Sequence, residues 1–213
     1  VSLGFLATFM FLFVNFSVRG TENFPYDQQD TTKSQSANIP KAEQSVTQHK
    51  MVIGGLSIPY TATAGTLIVR NKKDLPYASM GYTAYTRSDI SDPGNRPITF
   101  AYNGGPGSCS IWLHMGALGP RRIVTNDTTY IPPPPYKIAD NEYSILDKTD
   151  LIMIDPVGTG FSRAAGESKD KDFWSVDTDI ESIAWFIRQY ITENGRWNSP
   201  KYILGESYGT TRS

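Results

Sequence analysis

The sequence predicts an α/β fold with a central, mostly parallel sheet and antiparallel amino-terminal strands. Three observations carry this. Residues 97–102 (PITFAY), 150–155 (DLIMID) and 201–204 (KYIL) are short apolar or β-favouring runs, each leading into a glycine-containing turn. Such runs suit strands covered on both faces. Between the last two, residues 175–194 place Val176, Ile180, Ile183, Ala184, Ile187, Tyr190 and Ile191 at spacings of three and four, one apolar stripe of a helix. A strand, that helix and a further strand make a βαβ unit. Upstream lie Thr- and Tyr-rich runs of the kind that pair antiparallel.

Taken in chain order, residues 1–18 are uncharged, dominated by Val, Leu, Phe, Met and Ala, and end at Arg19. That length and composition predict an export signal over residues 1–20, hence a secreted or periplasmic protein, anchored to a membrane only if the segment stays uncleaved. Residues 21–50 turn to Gln, Ser, Thr, Asp and Lys, too few apolar groups to offset the entropy of ordering, and are expected as a polar linker. The folded domain is expected over 51–213. Its first strands are 57–63 and 66–70, flanking an Ala64-Gly65 turn, and 77–87 after Pro76. The prolines at 132–135 belong to an extended loop, because none can donate a ladder hydrogen bond. In the helix, Asp177, Asp179 and Glu181 sit in the early turns, where the dipole favours negative charge, and Gly195 is placed to end it. Asn126-Asp127-Thr128 is a glycosylation sequon.

Charge excludes some functions. Twenty Lys and Arg against 21 Asp and Glu leave a net charge of −1, no basis for attraction to nucleic acid or an anionic membrane surface. One cysteine, Cys109, allows neither a disulfide within the chain nor a Cys-based zinc cluster, and two histidines, His49 and His114, leave little for a His site. No metal and no other cofactor is expected. Oligomeric state has no signature in the sequence.

The chemistry concentrates at the end of the chain. Gly205-Glu206-Ser207-Tyr208-Gly209 fits G-x-S-x-G directly after a predicted strand, the pattern of a nucleophile elbow in an α/β-hydrolase fold. A sharp turn there lifts the serine hydroxyl clear of the sheet, and side chains at the two glycines would collide with neighbouring backbone. The plain alternative is a strand-to-helix turn with a capping serine. A second motif, Asn103-Gly104-Gly105-Pro106-Gly107-Ser108, follows the 97–102 strand and could aim backbone N–H groups at an oxyanion. As a phosphate loop it fails, because no Gly-Lys-Ser/Thr follows.

Together, residues 103–110 (NGGPGSCS) with Leu118-Gly119-Pro120, residues 155–162 (DPVGTGFS) and residues 205–209 (GESYG) resemble the serine carboxypeptidase family, in wording, order and spacing. The resemblance runs from about residue 77 to the end and implies an α/β-hydrolase fold, incomplete in this chain. By that resemblance Ser207 is the acylating nucleophile, and the N–H groups of Gly105 and Tyr208 form the oxyanion hole. Asn103, beside Gly104, and Glu206 bind the free C-terminal carboxylate of a peptide substrate. A carboxyl group that donates to a carboxylate must be protonated, so burial of Glu206 and tighter binding in mild acid are expected.

There are departures from the family pattern. Ala101 stands where the best-known members carry a tryptophan, and Ala117 where they carry a second glutamate, which removes half of the carboxylate clamp and leaves room for an esterase, amidase or acyltransferase. The family's triad Asp and His are expected after the serine, and no His follows Ser207 before Ser213. The 213 residues alone are therefore expected to be inactive, and a noncatalytic truncated or binding module is the competing reading. Asp155 is read as a structural loop acid, Cys109 as a small buried hydrophobe, His114 as a packing or hydrogen-bonding residue and His49 as solvated.

Overall fold

Two adjacent glycines with positive φ, Gly54 (56°) and Gly55 (81°), close the first hairpin, as a two-residue turn that matches strand twist requires. They join β1 (Gln44–Ile53) to β2 (Leu56–Arg70), paired antiparallel from Ile53↔Leu56 to Gln44↔Gly65. The computed structural model describes residues 39–125 and 134–213. The expected export signal, the linker up to residue 38, the sequon at Asn126 and the first two of the four prolines lie outside the described residues.

The hairpin corrects two expectations. Residues 44–50, assigned to the linker, are strand, and Ala64-Gly65 is the middle of one 15-residue strand, not a turn. Gly65 is needed for another reason: a Cβ there would sit 2.8 Å from the Glu43 carbonyl, where the first strand crosses closely. Polar β1 is exposed except at Met51, which packs with Ile58 and Tyr60, and at half-buried Ile53 beside them. Its ladder bonds and those few apolar contacts hold it, which composition alone does not reveal.

β3 (Pro76–Arg87) continues the antiparallel run. β4 (Ile98–Tyr102) follows, then short β5 (Arg121–Ile123) and β6 (Ile138–Asp140), which pair only with each other among the described residues. Next come β7 (Asp150–Ile154) and β8 (Arg163–Ala164), helix α1 (Val176–Glu193), β9 (Lys201–Gly205) and a final turn of helix, α2 (Gly209–Arg212). The main sheet runs β1-β2-β3-β7-β4-β9, with β8 beside the start of β3. β4 is parallel to both β7 and β9, so the β7–α1–β9 crossover spans one strand. Among the described residues no helix is long and apolar enough to cross a membrane.

Alternation along the strands divides the core into two layers. Phe100, Tyr102, Ile152 and Ile154 face α1, with Ile183, Phe186, Tyr190 and Ile191 packed on them. Ala101, Leu151 and Met153 face the other way, with Tyr85, Leu146, Leu113 and Leu118. Every residue of β4 and β7 is buried, as their composition predicts, whereas β9, predicted to be covered on both faces, leaves Tyr202 and Ile203 exposed. At the amino end of β7, Asp150 is buried between Arg96 (Nε to Oδ1, 2.9 Å) and Arg196 (Nη1 to Oδ2, 2.7 Å).

Helix α1 starts at Ser175, whose hydroxyl accepts from the Thr178 N–H at 3.3 Å, and ends before Gly195 at φ 63°. Its buried face differs from the predicted stripe. Val176 and Ala184 are exposed, while Asp179, Ser182 and Phe186 are buried. The helix is turned toward its polar residues because each has a partner: Asp179 meets Arg212, and the Ser182 hydroxyl donates to the Asp179 carbonyl at 2.7 Å.

Candidate active site

The carboxyl ends of β7, β4 and β9 lie side by side, and the chain leaves each through a turn carrying one of the three motifs. This is the edge of an open α/β sheet where ligands bind. After β9 the backbone reverses so tightly that a Cβ on Gly205 would collide with the Gly209 carbonyl, and one on Gly209 would lie 2.8 Å from the Tyr102 carbonyl. Between them Ser207 holds φ at 56°, a left-handed conformation that side chains adopt at a cost of order 1–3 kcal/mol. Thr210 N–H and Thr211 N–H then donate to the carbonyls of Ser207 and Tyr208, both at 3.0 Å, and begin α2. The order of strand, strained serine and helical turn has the geometry of a nucleophile elbow. The Ser207 side chain belongs to an exposed residue, which suits attack on an external substrate rather than a cap: α2 has no side-chain cap bond.

The loop after β4 packs directly on the elbow. A Cβ on Gly104 would overlap the Tyr208 nitrogen and lie 2.6 Å from the Glu206 carbonyl and 2.8 Å from the Gly209 nitrogen. Gly104 is buried, and Gly105 next to it is exposed with φ 111°. The two N–H groups singled out from the sequence, at Gly105 and Tyr208, thus sit on adjoining segments on either side of this contact.

Asn103 is fixed on every side. It is buried, its Nδ2 donates to Glu206 Oε2 at 3.0 Å, its Oδ1 accepts from the Leu113 N–H at 3.0 Å, and its own N–H donates to the Ser110 hydroxyl at 3.2 Å. Asn103 and Glu206, 103 residues apart in sequence, are therefore in direct contact. Glu206 is exposed, so the described residues do not supply the burial expected for it; its turn follows β9, which pairs only with β4 among the described strands.

Asp155 accepts from the Ser110 N–H (2.9 Å) and the Phe161 N–H (3.2 Å), tying the first and second motif loops together as a structural acid does. The segment after the first motif forms a wide helical turn, Leu113–Leu118, with the Gly119 N–H bonded to the His114 carbonyl at 3.0 Å. It carries His114, whose Nε2 meets the Tyr85 hydroxyl at 2.5 Å. Burial pushes the imidazole below its ordinary value, with nearby Asp155 opposing. Burial raises the tyrosine as well, so the pair is a neutral imidazole and a neutral hydroxyl sharing one hydrogen bond. Cys109 is half-buried rather than buried. Cys109, Ser110, His114, Asp155 and Phe161 border a cavity of about 630 Å³ that also reaches Gly65, Tyr82 and Met153 but not Ser207. Among the described residues no three of His, Cys, Asp and Glu converge as metal ligands would.

Ala101 lies at zero exposure in β4, facing Tyr85 and Leu113, and Ala117 is exposed on the helical turn. The sequence reading missed Arg212. Its guanidinium bonds Asp179 and the Asn103 carbonyl and lies over the Tyr208 ring. The available signal was Asp179 itself, three residues after Val176 and four before Ile183, on the apolar side of the helix where an acid needs a partner.

The family model for serine carboxypeptidase matches residues 63–211. The chain is 28% identical over 192 residues to the pheromone-processing carboxypeptidase KEX1 of Saccharomyces cerevisiae, covering 81% of this chain and 25% of that protein. It is 32% identical over 124 residues to serine carboxypeptidase-like 33 of Arabidopsis thaliana, covering 54% and 23%. The crystal structure of the prohormone-processing carboxypeptidase KEX1(delta)p from Saccharomyces cerevisiae superposes with a TM-score of 0.53 at 24% identity, over 70% of this chain and 31% of that one. The fold is that of an α/β-hydrolase, in part. The chain spans about a quarter of the length of these curated relatives.

Proposed function

Because the chain belongs to the serine carboxypeptidase family, we propose that the full-length protein is a serine carboxypeptidase that acts through an acyl-enzyme on Ser207. The observation that carries this reading is the elbow, with Ser207 at φ 56° pressed against the Gly104-Gly105 loop. Ser207 Oγ attacks the carbonyl carbon of the last peptide bond. A histidine supplied by the remainder of the protein takes the hydroxyl proton and passes it to the leaving amine as the C–N bond breaks. Water then adds to the acyl group, and the peptide leaves with a new carboxylate while Ser207 regains its proton. The N–H groups of Gly105 and Tyr208 receive the charge that develops on the carbonyl oxygen. Asn103 and Glu206 receive the substrate's terminal carboxylate. The 3.0 Å bond between them supports this shared role.

Two alanines favour a second reading, an esterase or acyltransferase on the same site. Neither Ala101 nor Ala117 offers a polar group to a carboxylate, which leaves recognition to Asn103 and Glu206. Export, as a secreted or periplasmic protein, is proposed from the uncharged run at residues 1–18; amino-terminal sequencing of the mature protein tests it.

A fluorophosphonate probe applied to full-length protein is expected to label Ser207 and to leave Ser207→Ala unlabelled. Absence of labelling in the parent protein would refute the acyl-enzyme and favour a noncatalytic module. Peptides cleaved far faster than their C-terminal amides support the carboxypeptidase; equal rates, or turnover of esters alone, support the second reading.

A further inference from the structure

Arg212 is 5% exposed, and its guanidinium makes three contacts in three directions. Nε donates to Asp179 Oδ2 of α1 at 2.8 Å. Nη1 donates to the carbonyl of Asn103 at 2.5 Å. The guanidinium carbon lies 4.9 Å from the centre of the Tyr208 ring, within cation–π range. One side chain thus joins the helix under the sheet, the backbone just before Gly104-Gly105, and the residue that follows Ser207.

Such a pair is not explained by stability. Taking both charges out of water costs several kcal/mol per ion by general experience, and a well-packed apolar pair of similar volume does as well or better. Here burial pushes the Asp179 carboxyl up, with the Arg212 charge offsetting this only in part. What a planar fork supplies is fixed direction to several partners at once. A lysine could reach the Asp179 carboxylate, but its ammonium could not also hold the Asn103 carbonyl in plane and stack on Tyr208.

We propose that Arg212 is a positioning residue for acyl transfer, setting the separation of the Gly105 and Tyr208 N–H groups through the Asn103 carbonyl and the Tyr208 ring. It touches neither substrate nor reacting atoms. The inference rests on the oxyanion roles proposed above, and it separates two kinds of binding. Stabilisation of the transition state depends on Arg212, whereas ground-state recognition through the Asn103 and Glu206 side chains does not.

The test uses full-length protein and compares the parent with Arg212→Lys. Expected are a fall of about tenfold or more in kcat and in the rate of fluorophosphonate inactivation, with KM changed by less than about threefold. Asp179→Asn keeps the guanidinium and loosens its anchor, so a smaller fall of the same kind is expected, and it stands in if the lysine variant does not fold. Thermal melts confirm that each protein compared is folded. Unchanged rates in a folded variant overturn the proposal, as does a rise in KM with kcat preserved. A parent protein that does not react with the probe defeats the acyl-enzyme reading and this inference with it; a reactive parent with an equally reactive lysine variant defeats this inference alone.

Discussion

Gly104→Ala tests the contact on which the site depends. Gly104 is buried, its φ is not in the left-handed region, and the atoms facing its missing side chain are all backbone: the Tyr208 nitrogen, the Glu206 carbonyl oxygen at 2.6 Å and the Gly209 nitrogen at 2.8 Å. No rotamer change can make room. Ordinary contact begins near 3.4 Å, so relief of the Glu206 clash alone moves the first motif away from the elbow by about 0.8 Å, and the closer Tyr208 nitrogen demands more. That movement lies between the two proposed oxyanion donors. A misplacement of about 1 Å costs on the order of 100-fold in rate, comparable with losing one oxyanion donor. The expected result in full-length protein is kcat lowered about 100-fold with KM changed only a few-fold, while overpacking lowers stability by about 1–3 kcal/mol and leaves the protein folded. Gly116→Ala is the control. A Cβ there meets nothing within 4 Å and φ is not positive, so kcat should be unchanged and stability equal or higher by up to about 1 kcal/mol. Steady-state kinetics on a peptide, with thermal melts of each variant, make the comparison. A folded Gly104→Ala protein whose kcat stays within about threefold of the parent would refute the reasoning.

Two further predictions concern buried charge. Asp150→Asn leaves the guanidiniums of Arg96 and Arg196 buried without their carboxylate, and urea unfolding should report a loss of about 3–5 kcal/mol; a loss below about 1 kcal/mol would mean that the pair relaxes to water. His114 is held below its ordinary value of 6.5 by burial, so the unfolded chain takes up the proton first. Its contribution to stability is present above about pH 6.5 and is lost as pH falls through the lowered value. His114→Gln, which keeps a hydrogen-bonding group for Tyr85, should flatten the decline in urea midpoint between about pH 7.5 and pH 5; parallel profiles for variant and parent would show that His114 does not titrate in this window.

The strands that bring the site together were legible because they are buried on both faces. β4 and β7 have no polar residue that must reach water except where a partner waits, and their composition marks them as central strands before their neighbours are known. The amino-terminal strands were harder. Gly54-Gly55 carries a strong local hairpin signal, since both residues take positive φ, yet the polar run before it matches a linker just as well. β1 exists because β2 offers it a full ladder of backbone partners, a property of the neighbour rather than of its own side chains. Gly65 misled in the same way. Glycine marks a turn when it supplies positive φ and a close crossing when it only omits a Cβ, and a single sequence does not separate the two.

The site divides along a similar line. The tight turn at Ser207 and its contact with Gly104 were legible because short-range geometry dictates them: a strand that stops and a turn that admits no Cβ. The burial expected for Glu206 is not found among the described residues, because it requires neighbours beyond β9 that a local motif does not specify. Arg212 escaped because its three partners are drawn from α1, the loop after β4 and the elbow. Asp179 shows how such a residue can still be traced. An acid in the first turns of a helix is explained locally by the dipole, and that explanation is sufficient only if the residue faces water. Once its phase places it beside Ile183 and Phe186, the dipole no longer accounts for it, since desolvating the carboxylate costs more than the helix terminus returns. A buried acid at that phase demands a cation from elsewhere in the chain, and the residue that answers is the one bonded to the loop on which acyl transfer is proposed to depend.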